Sequence, residues 1–109
     1  MLLTTTETPG PGIEYETIGM VVGNVIRAKH IGTDIIASLR NIIGGEVKEY
    51  TKLMAEAREQ AKDRMVAQAR EVGADAVVEI RFTTAMVMTG ASELLAYGTA
   101  VRFTNKDQA

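Results

Sequence analysis

Runs of β-branched residues and stretches of helical spacing divide the chain into successive elements. Residues 2–6, LLTTT, favour extended backbone through their threonines. The TPGPG that follows turns the chain, because each proline fixes φ and each glycine permits a reversal. Residues 13–28 are rich in Ile, Val and Thr and predict one long strand or a bent pair. Gly19 and Gly23 inside it mark a bend, a bulge or a close backbone approach. From Thr33 the period changes: Ile35, Ile36, Leu39, Ile42 and Ile43 recur at helical intervals, and Gly44 and Gly45 end that helix. A longer helix follows on the seam Val47, Tyr50, Met54, Ala57, Ala61, Met65, Ala69 and Val72, stopped by Gly73. ADAVVEIRFTTAMVM then alternates, with Val78, Ile80, Phe82, Thr84 and Met86 expected on one face. TGAS is the turn into ELLAYGTAVRF, the last strand, with Leu95, Tyr97, Thr99, Val101 and Phe103 together. Residues 104–109 form a polar tail.

The order β-β-α-α-β-β predicts a single α+β domain over residues 1–109, a small antiparallel-type sheet with one helical layer. One layer covers one face. The alternate positions, Gly19, Val21, Gly23, Val25, Val77, Ala85, Val87, Ala96, Gly98 and Ala100, are small and apolar where a wet face carries Lys, Glu, Thr and Gln. Only Arg27, Glu79, Arg81 and Arg102 bring charge there. The expectation is that another copy covers this surface and that the protein is a homo-oligomer.

Composition narrows the function. A chain of 109 residues has one small core. Its net charge of −2 gives no broad attraction to nucleic acid or an anionic membrane. Cysteine is absent, which removes disulfides, thiolate metal sites and cysteine nucleophiles. The opening residues lack the basic and apolar regions of a signal peptide, and no apolar run approaches the ~18–20 residues that span a bilayer. A cytoplasmic protein is expected.

Candidate chemistry gathers at VVGNVIRAKHIGTDI, residues 21–35, where a strand becomes a helix. Arg27, Lys29 and Thr33 are candidates for an anion at the helix N-terminus. Asp34 competes with that reading, since its carboxylate can cap the same N–H groups. The stretch has neither a phosphate-loop nor a dinucleotide-binding spacing. His30, the one histidine, is the candidate metal ligand, or an acid/base partner of Asp34. Asp75 is expected to bond local backbone at the helix-to-strand turn. Glu93 and Tyr97 fall on one face of the last strand, where they line an intersubunit pocket or close a subunit contact. No nucleophile or acid/base set is evident, so no catalytic residue is assigned.

GNVIRAKHIGTDIIASLRNIIGGEVKEYTKLMAEAREQA, GADAVVEIRF and ASELLAYGTAV together resemble the YbjQ-like family of small bacterial and archaeal proteins, from about Thr17 to Phe103. The resemblance implies an α+β unit assembled into a ring-shaped homopentamer, and it brings a heavy-metal-binding label. Soft metals take thiolate or thioether ligands and borderline ions take imidazole. One subunit lacks the four Cys and His ligands of a structural zinc site. Copies of His30 converging on a symmetry axis are the route left to a metal. Met54 and Met65 belong to the helical seam, while Met86 and Met88 alternate before the turn, the spacing of two thioethers on one side or of ordinary strand packing. The expected function is a non-catalytic oligomeric binding or scaffold protein without cofactor. The alternatives are a metal site built by symmetry and, third, a small enzyme with an intersubunit site.

Overall fold

A computed structural model of the chain describes residues 1–27, 46–88 and 91–105. The helix expected over residues 33–43 and its glycine stop lie outside the described residues, as do residues 89–90 of the turn and 106–109 of the tail. The described elements are β1 (Leu2–Leu3), β2 (Tyr15–Arg27), α1 (Glu46–Glu71), β3 (Ala76–Met88) and β4 (Ala91–Phe103). The strands form one sheet in the order β1-β3-β4-β2.

That sheet is mixed rather than of antiparallel type: β4 runs antiparallel to both β3 and β2, but β1 lies parallel to β3. TPGPG does not fold the chain back into a hairpin. It carries the chain from one edge of the sheet to the other, with Pro9 buried on the way. Asn105 receives this connection, accepting from the Glu14 N–H at 3.0 Å and donating to the Gly12 carbonyl at 2.9 Å. The strand expected over residues 2–6 pairs in register only at Leu2–Leu3. Its hydrogen bonds nevertheless continue, from Thr4 N–H to the Val77 carbonyl and from the Glu79 N–H to the Thr6 carbonyl. The regular ladder stops because β3 bulges between Val78 and Arg81, where Glu79 takes a φ of 54°.

Helix α1 ends as its sequence dictates. Gly73 adopts φ 79°, its N–H donates to the Arg70 carbonyl, and the Ala74 N–H donates to the Ala69 carbonyl. This is the paired C-terminal cap that a left-handed residue permits and that a side chain at position 73 would strain.

The core lies between α1 and the sheet. Ala57, Ala61, Met65 and Ala69 of the helix pack on Val21, Val25, Val77, Ile80, Leu94, Ala96 and Ala100. Most of the small-residue face, Val21, Gly23, Val25, Val77, Ala96, Gly98 and Ala100, is therefore the helix-covered face. The bulge in β3 moves Ala85, opposite Glu93, to the other side. For the rest, the expectation that a second copy covers it is reversed. The reason is close approach. A Cβ placed on Gly23 would fall on the Ala61 carbonyl oxygen and the Met65 amide nitrogen, with the Arg64 carbonyl carbon at 2.9 Å. Small strand residues and an alanine seam let backbone meet backbone, so the contact that suggested a subunit boundary is internal. At Gly98 the crowding comes from β3, with Val77 Cγ1 2.6 Å from a Cβ built there.

Candidate functional site

With α1 on one side, the face of the sheet that no described helix covers is the other one. Register defines its rows. Met20 lies beside Thr99, Val22 beside Tyr97, Asn24 beside Leu95 and Ile26 beside Glu93. On the far side of β4, Thr99 meets Val78, Tyr97 meets Arg81, Leu95 meets Thr83 and Glu93 meets Ala85. At the strand ends nearest the termini this face is closed by a second buried cluster, Ala76, Val78 and Val101, with Tyr15 and Phe103 packed against it. Beyond that cluster the described part of the face is exposed: Met20, beside Thr99, is 75% exposed, and toward the hairpin Ile26 is 54% and Val87 51% exposed.

The polar groups on this face are few and mostly engaged. Asn24 Nδ2 donates to Glu93 Oε2 at 3.1 Å. Arg81 donates from Nη1 to the Thr5 carbonyl at 3.1 Å and to its neighbour's Ile80 carbonyl at 2.8 Å, which fixes the guanidinium toward the N-terminal segment. Arg102 and its partner Glu16 pair on the opposite side of the sheet, one residue out of phase with Val101 and Phe103. Glu93 and Tyr97 share the face and are half-buried. Four residues of strand rise separate them by about 13 Å, so one subunit does not gather them around one point.

The other sequence candidates are placed as follows. Arg27 closes β2, and only its backbone is described. Lys29, His30, Thr33 and Asp34 lie outside the described residues. Met86 faces Ser92 and Met88 faces Ala91, across a second bulge that leaves Val87 between them. Since Ser92 and Ala91 point to opposite faces, so do the two methionines, and they cannot act as a thioether pair. Asp75 reaches further than its local turn: Oδ2 accepts from the Phe103 N–H at 2.9 Å, across the sheet.

Two features escaped the sequence reading. An open cleft of about 420 Å³ lies on the helix side, lined by Met54, Arg58, Phe82, Thr83, Thr84 and Leu94. The second is at the edge of β2, where α1 side chains bond strand backbone. Gln68 Oε1 accepts from the Val22 N–H at 2.7 Å, and Arg64 Nη1 donates to the Asn24 carbonyl at 2.6 Å. Polar residues four apart beside an alanine seam are the signal that would have found it. On the solvent side of the same helix Glu59 holds Lys62 by a side-chain hydrogen bond and raises its pKa above the usual lysine value.

The YbjQ family model, described as "Putative heavy-metal-binding", matches residues 1–104. The chain belongs to this family. Similar proteins, each called a UPF0145 protein, come from Archaeoglobus fulgidus and Methanosarcina acetivorans. The first is 55% identical over 102 residues, covering 94% of both chains. The second is 52% identical over 106 residues, covering 97% of this chain and all of its own. A third, from Psychromonas ingrahamii, is 56% identical over 103 residues, covering 94% of this chain and 97% of its own. A crystal structure of a DUF74-family protein of unknown function from Pediococcus pentosaceus superposes with a TM-score of 0.64 at 15% identity, covering 94% of this chain and 97% of that one. At that identity the likeness concerns the fold.

The metal in the family description can be tested on the donors present. Among the described residues no three His, Cys, Asp or Glu side chains come together to hold an ion. The chain has no cysteine, and Met86 and Met88 point apart. These donors do not fit a soft-metal centre. No helix among the described residues is long and apolar enough to cross a membrane.

Proposed function

We propose that this YbjQ-family chain is a non-catalytic binding or scaffold protein of the cytoplasm that works as a homo-oligomer. The number five and the ring arrangement come from its resemblance to the family. The observation that supports assembly is the open sheet face, on which Met20, Ile26 and Val87 are at least half exposed. Large apolar side chains left exposed on one face of a sheet are a feature of subunit boundaries. Light scattering on the purified protein is the test. A mass about five times that of the chain is expected, and a monomer at micromolar concentration overturns the reading.

A second reading, favoured by the family description, is a metal site that symmetry assembles from copies of His30. Titration with zinc or nickel separates it from the first. Saturable binding that is lost in His30→Ala supports the metal site, and binding that is absent or unchanged in the variant removes it.

A further inference from the structure

We draw no further inference here: the strongest candidate, the open cleft of about 420 Å³ between α1 and the β3–β4 hairpin lined by Met54, Arg58, Phe82, Thr83, Thr84 and Leu94, carries none, because residues 28–45 lie outside the described residues and nothing in the structure shows what covers it.

Discussion

At the scale of single residues, the fold turns on two positions where a side chain is either forbidden or strained. Gly23 sits where α1 and β2 touch through their backbones, so even a methyl group must push the helix off the strand. Overpacking of this kind costs about 1–3 kcal/mol. Gly23→Ala is therefore expected to lower stability by about that amount, read as an earlier urea midpoint with unchanged slope. Glu79 is the opposite case, a side chain held at φ 54° by the bulge in β3. Left-handed backbone costs a residue with a Cβ about 1–2 kcal/mol, part of which glycine's greater freedom in the unfolded chain offsets. Glu79→Gly is expected to raise stability by about 0.5–1 kcal/mol, and Glu79→Val to lower it, in the same titration.

At the scale of elements, α1 both covers a face of the sheet and guards an edge. Gln68 is exposed yet bonds the Val22 N–H, so its loss removes one hydrogen bond and opens that part of β2. Gln68→Ala is expected to cost about 0.5–1.5 kcal/mol in chemical denaturation and to raise slow aggregation, measured by scattering over hours. Strands β2, β3 and β4 and the body of α1 were legible because β-branched runs and an alanine-centred seam have few other uses. The covered face was not. Alternation says which residues share a face but not which face receives the helix, and small residues suit a close helix as well as a close subunit. The bulges added a second difficulty. Val78 lies with Ala76 and Val101 in one cluster, while Ile80 packs under the helix in the other, so an unbroken alternation from 78 to 86 does not exist. Of the candidate site, the shared face of Glu93 and Tyr97 followed from their spacing. The opposed directions of Met86 and Met88 did not, since nothing in the residues announces the extra one at Val87.

At the scale of the whole molecule, the single subunit is long and thin, with extents of 58 × 26 × 18 Å and a radius of gyration of 17.7 Å. A compact domain of this length is expected near 13 Å. The excess reflects long strands that run beyond the cover of α1, with Met20, Ile26, Met86 and Met88 left exposed. Charge placed on the open face is expected to act on assembly before it acts on the fold. Met20→Lys combined with Ile26→Lys should reduce the light-scattering mass while far-ultraviolet circular dichroism stays unchanged, because neither side chain is buried in the subunit.

The strand order also fixes when this protein can fold during its synthesis. β4 lies between β3 and β2 and is made after both of them. Leu2 waits for Ala76, and Tyr15 waits for Phe103. Until residues 91–103 emerge, β2 has no neighbour and α1 has no finished surface to lie on. The nascent chain must hold Tyr15–Arg27 unpaired until residues 92–103 have been made. The β3–β4 hairpin closes the shortest loop in the described sheet, so it is expected to pair before β2 docks on it.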